Sequence, residues 1–591
     1  MSTAPVPRQS PHPRSPAPPD PPPVPPHSSE ATRLMCAGTY QDAAYRRRVI
    51  DELYVKEHHI AAPALGHDAA RVLAHALRAR REHLKWSGAV LGLWAVGLPL
   101  SGGLLVGPLL AGAVLALAPG RKGGRPAPAY RPLVLVVGWV LFVAALAVLL
   151  GVAFGGGSSS GPDSSNGSGA TYGSSSPYGD SSSSYYGSSG GTSDSLDELP
   201  SVLGGGGAEP WQAWIGLGTL ALVGLCAATR RERYTRVFVE ELSEGGFMEL
   251  ADDPAERAGG ERFRRVMERI RREQHAPLVL YDEAAPFRGA GARRDTWVLA
   301  VELRPVPDTA QQPLSNRAVL DKIRPMLEQL RVPAAHADPA LVRDRLRRLE
   351  IDECVFLPVD GLARRDEAPL SVRDFEQHRA RAVEEGGERR RHFLRIRVGG
   401  WEEELVVTVF VRVHTQGGML MLEIAPHVLS PVRAAFKDVE RDALRARSAP
   451  AFARAAAALG EVPASAGPAL VALWRGAAEQ WRLLTDGHAD LPPEGPEMSV
   501  RELAATSGST FQTMDVDRYL RSIQDRVGRG VRRALAEAGY ETGEFVQKIV
   551  NVSNGAVHIG RVEGSTFAIG DHARAGHRGP GPQRGPSRDD T

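Results

Sequence analysis

The stretch PLVLVVGWVLFVAALAVLLGVAF, residues 132–154, decides how this chain is organised. It carries no charged side chain and is long enough to cross a bilayer as one α-helix, which takes about 20 apolar residues. Arg131 precedes it, whereas residues 155–210 are rich in Gly, Ser and Tyr and contain no Lys, Arg or His. Because Lys and Arg accumulate on the cytoplasmic side of spanning helices, the helix is predicted to run outward. Residues 155–210 are then a disordered extracytoplasmic loop.

A second apolar segment, residues 211–229, is predicted to return the chain to the cytoplasm. Trp211 and Trp214 stand at its start, and tryptophan rings favour the interface between lipid and water. Basic side chains that would anchor its other end in the cytoplasm are Arg230, Arg231 and Arg233. The two segments together place the loop 155–210 outside the cell.

Residues 86–118 form an apolar region that is long for one spanning helix and short for two. Both flanks are basic, so both are predicted to be cytoplasmic and the region must enter and return. Gly102 and Gly103 mark the turn of a hairpin between helices predicted at 87–101 and 104–118. A re-entrant hairpin that never reaches the far side is the alternative. The basic anchors of these flanks are Arg78, Arg80, Arg81, Lys85, Arg121, Lys122, Arg125 and Arg131.

The charge pattern predicts a multi-pass cell-membrane protein with four transmembrane helices, both termini in the cytoplasm and the lipid bilayer as its partner. None of the four apolar segments contains Asp, Glu, Lys, Arg or His. Ionisable side chains at membrane depth usually mark ion pathways and proton relays, so a pump, an ion-coupled transporter or a channel is not expected. The formal net charge is +2, so nucleic acid is not an expected partner either.

The region before the first apolar segment divides into a tail and a helical part. Residues 1–33 are rich in Pro and are predicted to be disordered, whereas apolar residues at helical spacing predict a cytoplasmic helical segment over 34–85. His67, His75 and His83 recur along this segment. They are too far apart on a helix to share one metal ion, so they are interpreted as solvent-facing histidines.

Residues 230–490 are predicted to form a cytoplasmic α+β domain. Three alternating apolar runs joined by Gly399-Gly400 and Gly417-Gly418 predict an antiparallel meander, because paired glycines accept the positive φ of tight hairpin turns. Helices on either side of the meander are expected to cover one face of the sheet. The predicted strands are 277–281, 296–303, 354–359, 393–398, 405–414 and 419–425, and the predicted helices are 315–331, 338–350, 431–445, 449–459 and 466–485.

The predicted domain contains no HExxH, GxxxxGK[ST], GxSxG, CxxC or kinase signature. Gly289-x-Gly291 lacks the third glycine and the following helix of a dinucleotide fingerprint, and is interpreted as a connection between strands. Residues from which an acid–base pair could be built are His392, His414, His427, Asp352 and Glu353, a combination that arises by chance in domains of this size. Cys36, Cys226 and Cys354 lack metal-ligand spacing. The sequence predicts no enzyme, no cofactor and no metal site.

The C-terminal part is predicted to be a helical segment over 491–548, a short β segment over 549–573 and a disordered tail over 574–591. Glycines punctuate the β segment between Val and Ile residues. It resembles the Gly/Asn-punctuated amyloid-type signalling tails of some bacterial immune-like receptors and effectors, a resemblance that implies self-association or a protein partner. A terminal β-hairpin is the alternative interpretation.

Three stretches resemble a group of uncharacterised multi-pass integral membrane proteins of actinobacteria with a cytoplasmic α+β domain: LMCAGTYQDAAYRRRVIDELY (34–54), APALGHDAARVLAHALRARR (62–81) and LVLYDEAAPFRGAGARRDTWVLAVEL (278–303). The resemblance implies location and class but no activity. The expected function is that of a non-catalytic membrane scaffold or sensor with a cytoplasmic partner-binding domain. The alternatives are a membrane-tethered enzyme with an unrecognised site, or a signalling protein that assembles through 549–573.

Overall fold

A computed structural model describes residues 24–117, 130–154 and 209–547, with gaps at 244, 248, 258, 332–345, 347, 386, 402–403 and 486–490. The predictions for most of 1–33, for nearly all of the loop 155–210 and for 549–591 fall outside the described residues. The chain forms two compact units. The sheet unit comprises Met1–His75, Phe247–Lys437 and His488–Thr591, and the helical unit comprises Ala76–Gly246 and Asp438–Gly487.

Fifteen α-helices and seven strands are named here in chain order. The helices are α1 Glu30–Gln41, α2 Ala43–Ile50, α3 Ala69–Leu100, α4 Val106–Leu117, α5 Arg131–Phe154, α6 Pro210–Arg236, α7 Pro254–Arg257, α8 Glu261–Gln274, α9 Asn316–Glu328, α10 Val372–Glu384, α11 Ala434–Ser448, α12 Ala451–Leu459, α13 Ala466–Thr485, α14 Val500–Leu503 and α15 Thr510–Glu537. The strands are β1 Leu278–Tyr281, β2 Ala292–Arg293, β3 Trp297–Glu302, β4 Leu349–Pro358, β5 Arg391–Gly400, β6 Leu405–Gln416 and β7 Met419–Leu429.

The strands form one sheet in the order β1-β4-β5-β6-β7, with β2 and β3 both paired to β7. Only the β1–β4 pair is parallel among the described strands. The predicted antiparallel meander is confirmed: β5 pairs with β6, and β6 pairs with β7. The alternation of apolar residues along the strands fixes their register. The helices on one side of this sheet confirm the α+β class of the unit.

The two predicted turns of the meander have different outcomes. Gly417 and Gly418 have φ of 60° and 75° and form the tight β6–β7 turn as predicted. The prediction for Gly399-Gly400 is wrong, because β5 continues through Gly400 and the chain turns after it, with Trp401 at φ 52°. Gly400 serves close packing instead: a Cβ there would lie 3.2 Å from the hydroxyl of Tyr519.

Both faces of the central strand β6 are covered, so Leu405 through His414 are all buried. On one face, α9 and α15 pack against alternate strand residues such as Val407 and Val409. On the other face, Phe410 belongs to a group of rings that we call the aromatic cluster. The members of the aromatic cluster are Phe287, Phe356, Phe393, Phe410 and His427.

Several helix predictions require correction. The helices predicted on either side of Trp86 are one continuous helix, α3, since no residue between them breaks the backbone pattern. Of the helix predicted at 338–350, only the last residues are described, and Leu349 already begins β4. His67 and His75 are buried and not solvent-facing: the ring of His75 is held by Asp253, with Nε2 3.0 Å from Oδ2.

Candidate membrane-spanning bundle

Two helices of the described chain are long and apolar enough to cross a membrane. The first is α5, 24 residues long, and only 17% of its most apolar stretch is buried. The second is Pro210–Glu241, which is α6 with one added turn. Of its most apolar stretch, 39% is buried. Core helices of a soluble fold usually bury a larger share of their surface. Their exposed apolar side chains include Leu133, Val136, Val140, Val143, Phe154, Trp211, Trp214, Leu222 and Leu225.

Residues 86–117 form the predicted helical hairpin. The chain turns at Gly102 and Gly103, whose φ values of 61° and 85° suit glycine, between the end of α3 and the start of α4. The return helix α4 has 12 residues, or about 18 Å, which is shorter than the roughly 30 Å of a bilayer core. Residues 118–129, which would continue it, lie outside the described residues.

The α3 arm of this hairpin runs antiparallel to α6 along most of the apolar segment of α6. Trp86 and Arg230 line one cleft at the basic end. At the opposite end, a Cβ on Gly102 would lie 2.8 Å from Oε1 of Gln212, close to the start of α6. From residue 212 to residue 230 a helix rises about 27 Å. The turn therefore lies at the tryptophan end of α6, where Trp211 and Trp214 stand.

Small residues allow close approach between helices of this bundle. A Cβ on Gly216 of α6 would lie 2.9 Å from Leu149 of α5, and one on Gly138 of α5 would lie 2.6 Å from Leu115 of α4. Glycine at such contacts is typical of helices that associate in lipid, where packing replaces the hydrophobic effect.

A second helical hairpin, α12 and α13, also packs in this bundle. Val462, in the connection between the two helices, is buried with Trp94, Leu105 and Val223. A Cβ on Gly112 of α4 would lie 2.0 Å from the carbonyl oxygen of Pro463, so only glycine fits there. The sequence had assigned these helices to the α+β domain because their mixed composition is typical of soluble helices. Their packing places them in the helical unit instead.

Among the described residues, the α12–α13 hairpin carries several large apolar side chains that are exposed. On α13, which runs antiparallel to the first part of α3, Gly476 packs on Leu84 and Glu479 pairs with Arg80 at 3.1 Å. Its outward face carries large exposed side chains at helical spacing. The large exposed apolar residues of the hairpin, among those described, are Phe452, Leu459, Leu470, Val471, Trp474 and Trp481.

Six of the predicted basic anchors are paired with acids of the helical unit. Glu461 of the second hairpin accepts from both Arg230 and Arg231, at 2.6 Å and 2.5 Å. Further pairs are Arg78–Glu241, Arg80–Glu479, Lys85–Glu82 and Arg233–Glu82. Arg81 and Arg131 lie on α3 and α5, and Arg121, Lys122 and Arg125 fall outside the described residues.

The candidate acid–base residues do not form one site. His392 Nε2 lies 3.2 Å from Glu353 Oε2, on the face covered by α9 and α15. His427 lies in the aromatic cluster on the other face, because strand residues alternate between faces. Asp352 is paired with Arg395. His414 is buried near the end of β6, with Arg412 the largest charge acting on it.

The carboxylate of Glu353 is surrounded by basic side chains. Besides His392, the guanidinium groups of Arg379, Arg317 and Arg324 lie 3.0, 3.2 and 3.4 Å from its carboxylate. The hydrogen bond from His392, followed by that from Arg379, lowers the pKa of Glu353 to about 2. A general base works best with a pKa near the working pH, so this geometry favours a structural ion network over acid–base chemistry.

The Gly289-x-Gly291 turn already holds a carboxylate. The backbone N–H groups of Gly289 and Gly291 donate to Oε1 of Glu502, at 2.9 Å and 3.0 Å. Positive φ at both glycines, 95° and 96°, turns these N–H groups toward one acceptor. The turn leads into β2 and connects strands, as the sequence predicted, and its donors are occupied by the protein's own acid.

Residues 296–565 resemble the AbeC-like domain, whose family model matches this stretch. The AbeC-like stretch begins one residue before β3 and includes the meander, the α12–α13 hairpin and α15. It leaves out β1, β2 and the helices α1–α8. No curated protein and no solved structure matches the chain. The similarity therefore concerns one stretch of the chain and brings no activity with it.

Within the AbeC-like stretch, we expect buried His427 to make stability depend on pH. Burial, with a contribution from Arg293, lowers the pKa of His427 from 6.5 to about 4. Between these values the unfolded chain binds a proton that the folded chain does not, so the free energy of unfolding falls as pH falls, by about 1.4 kcal/mol per pH unit. We expect His427→Phe, which suits the aromatic cluster, to remove this dependence.

The measurement is urea unfolding of both proteins from pH 7 to pH 4. Relative to wild type, the variant should gain up to about 3 kcal/mol over this range. Burial also lowers the pKa of His67, to about 3, but that residue is present in both proteins and cancels in the comparison. Parallel stability curves would show that His427 titrates normally.

Proposed function

We propose that this protein is a multi-pass membrane scaffold or sensor without catalytic activity. Four helices cross the cell membrane, both termini and the sheet unit lie in the cytoplasm, and the loop 155–210 lies outside. The lipid bilayer is its first partner, and the sheet unit binds a protein partner. The observation that carries the proposal is the pair of long apolar helices, α5 and α6, whose apolar side chains are mostly exposed.

The hairpin of α3 and α4 supports four crossings over a shallow re-entrant hairpin. Its turn at Gly102 lies beside Gln212, near the outer end of α6, so the α3 arm is as long as the apolar segment of α6. If α6 is long enough to span the membrane, the α3 arm is therefore long enough as well. The basic flanks on both sides of the hairpin keep its two ends in the cytoplasm.

The α12–α13 hairpin would enter the membrane from the cytoplasmic side without crossing it. Its tip at Val462 packs on Val223, which is seven residues, or about 10 Å, from Arg230 at the basic end of α6. Leu459 and Leu470 flank the tip, so they would face lipid. Trp481 lies about 16 Å further along α13 from Leu470 and would face the cytoplasm.

The absence of catalysis is supported by the state of the candidate residues. The carboxylate of Glu353 is paired with three arginines and a histidine. The N–H groups of the glycine turn already donate to Glu502. A membrane-tethered enzyme is the competing function. In the described residues, no feature brings His392, His414 and His427 together around one cavity.

Cysteine labelling in intact cells tests the topology. The starting protein lacks Cys36, Cys226 and Cys354, and each test variant carries one new cysteine. We expect a membrane-impermeant maleimide to label Ser183→Cys and Leu100→Cys in intact cells, and Gly123→Cys only after permeabilisation. Labelling of Gly123→Cys from outside would contradict the proposal, as would an unlabelled Ser183→Cys. If Leu100→Cys alone is not labelled in intact cells, the re-entrant hairpin is favoured instead.

A matched pair on α13 tests insertion of the second hairpin. The side chains of Leu470 and Trp481 have similar exposure, 62% and 69%, so the fold alone predicts similar reactivity. If lipid covers the tip, Leu470→Cys should react at least ~10-fold more slowly than Trp481→Cys in inverted membrane vesicles, since water-soluble maleimide is excluded from lipid. Equal rates in vesicles would place the hairpin outside the membrane. Detergent unfolding provides the reference for full reactivity.

A further inference from the structure

Two adjacent histidines of the sheet unit lie against an acidic residue from a distant part of the chain. His58 and His59 follow the π-helical turn Asp51–Val55, and Glu494 precedes α14. The Nε2 atoms of His58 and His59 lie 4.0 Å and 3.6 Å from Oε2 of Glu494. All three atoms fall within 4.8 Å of one another, close enough to ligate one ion.

The spacing of these atoms suits a small transition-metal ion. Zn²⁺ binds His nitrogen and carboxylate oxygen at about 2.0–2.2 Å. Two ligands of a tetrahedral ion are then about 3.4 Å apart, from the same bond lengths. The separations of His58 and His59 from Glu494 exceed this value by about 0.6 Å and about 0.2 Å, which side-chain rotations can close.

A buried carboxylate orients His59 as metal-binding sites require. Nδ1 of His59 lies 3.3 Å from Oε2 of Glu52, and both side chains are buried. A proton on Nδ1 leaves the lone pair of Nε2 directed toward Glu494. Histidines that ligate metals nearly always donate their other N–H to a carboxylate or carbonyl in this way. Glu52 is held in place by the backbone N–H groups of Glu497 and Met498, which donate to its Oε1 at 2.9 Å and 3.3 Å.

The backbone fixes the three candidate ligands relative to each other. Glu494 N–H donates to the carbonyl of His58 at 3.0 Å, and Ile60 N–H donates to the carbonyl of Glu494 at 2.9 Å. The rings of His58 and His59 pack edge to face, with centroids 4.5 Å apart. These contacts fix residues 58–60 relative to Glu494. Binding an ion would therefore require little further ordering of the chain. Glu494 is 64% exposed, which leaves an entry path from solvent.

A second arrangement of acids around His59 is less suited to a metal. Glu52, His59 and Glu497 also lie close together. However, Glu52 is already bonded to His59 and to two backbone N–H groups, and Glu497 is paired with Lys56. A metal there would have to displace these partners. In the first arrangement, the Nε2 atoms of His58 and His59 both lie near Oε2 of Glu494, and the contact between Glu52 and His59 is kept.

We propose that His58, His59 and Glu494 bind one divalent transition-metal ion of the Zn²⁺ class, with Glu52 as the residue that positions His59. Two imidazoles and one carboxylate favour Zn²⁺ and its neighbours over Ca²⁺ and Mg²⁺, which prefer oxygen ligands. Three protein ligands leave at least one coordination position open to water or a further ligand. The ion ties the N-terminal segment to the segment before α14. Neither the membrane topology nor the AbeC-like similarity is needed for this site, since residues 58, 59 and 494 belong to one unit.

Calorimetric titration of the purified full-length protein with ZnCl₂ tests the site. The chain has 17 histidines, so variants are needed to separate this site from weak surface binding. Wild type should bind one Zn²⁺ tightly and show a raised melting temperature that chelation with EDTA reverses. We expect Glu494→Ala and His58→Ala to weaken binding at least ~10-fold, and Glu52→Gln to weaken it by about 10–100-fold through loss of the positioning contact.

Glu497→Gln is the matched control, three residues from Glu494 and similarly exposed at 55%. It should bind Zn²⁺ like wild type. The proposal is overturned if wild type binds no Zn²⁺ tightly, or if Glu494→Ala binds as wild type does. It is also overturned if Glu497→Gln loses the ion while Glu494→Ala keeps it. Melting of each metal-free variant, compared with metal-free wild type, shows that the losses are not losses of fold.

Discussion

Replacing Arg71 with Met will lower the free energy of unfolding by about 3–5 kcal/mol, the usual cost of removing one partner of a buried ion pair. Arg71 is fully buried, and its Nε donates to Oδ2 of Asp253 at 2.8 Å. Its Nη1 donates to the carbonyls of His27 and Phe247, at 2.7 Å and 3.0 Å. The guanidinium also lies 3.5 Å from the centroid of the Phe247 ring. Met fills the volume but satisfies none of these groups.

The substitution leaves Asp253 buried without its ion-pair partner. Burial raises its pKa, but the hydrogen bond and charge of His75, the N–H of Ala255 and the bond from Arg71 outweigh burial and bring the pKa below its ordinary value. Without Arg71, part of this compensation is lost and the buried carboxylate becomes costly. We therefore expect Arg71→Met combined with Asp253→Asn to cost less than the two single changes added together.

The matched control for Arg71 is Arg257→Met. Arg257 pairs with Asp252, the residue next to Asp253, and both members of that pair are exposed. Exposed pairs contribute about 0–1 kcal/mol, so this variant should unfold close to wild type. The measurement is urea unfolding at pH 7. Equal losses in Arg71→Met and Arg257→Met would refute the claim that burial makes the Arg71 network strong.

Phe410→Ala should cost a similar amount, about 3–5 kcal/mol, for a different reason. Phe410 is buried at the centre of the aromatic cluster, with ring centroids 4.9 Å from Phe287 and 5.6 Å from Phe356. Removing the ring loses its burial, leaves a cavity and removes edge-to-face contacts that add about 0.5–1.5 kcal/mol each. The rings around it belong to β4, β5, β7 and the connection between β1 and β2, and they cannot collapse into the space.

Phe511→Ala provides the control in the same unit. Phe511 stands in the first turn of α15 with its ring exposed, so truncation should change stability by no more than about 0.5 kcal/mol. Phe410→Leu should fall between the two, since it keeps part of the buried volume. Unfolding curves at pH 7 give the three values. A Phe410→Ala loss as small as that of Phe511→Ala would mean that the cluster repacks freely.

Local patterns in the sequence predicted much of the fold. The meander followed from alternation of apolar residues, and the turn at Gly417-Gly418 from the positive φ that glycine tolerates. The turn at Gly102 and Gly103 followed from the same preference, within a long apolar region. The turn predicted at Gly399-Gly400 was wrong because β5 continues through both glycines, and Gly400 packs closely against the distant Tyr519 instead.

The sites were less predictable because each depends on contacts between distant segments. His67 and His75 looked like surface residues on a helix, but both are buried, and His75 contacts Asp253, which is far away in the sequence. The His58-His59 pair is visible in the sequence, yet nothing local connects it to Glu494. Glu353 and His392 did meet, but the arginines that neutralise Glu353 come from α9 and α10.

By itself, the sequence determined where apolar helices, alternating strands and basic flanks lie, because these depend on composition and on spacing within short windows. Only the tertiary structure decided that α12 and α13 pack with the apolar helices and not with the sheet. Their composition fits either environment. The deciding contacts, Gly112 with Pro463 and Gly224 with Val462, join residues far apart in the chain. Shape complementarity at such contacts has no signal in a single sequence, since it exists only once the partners are in place.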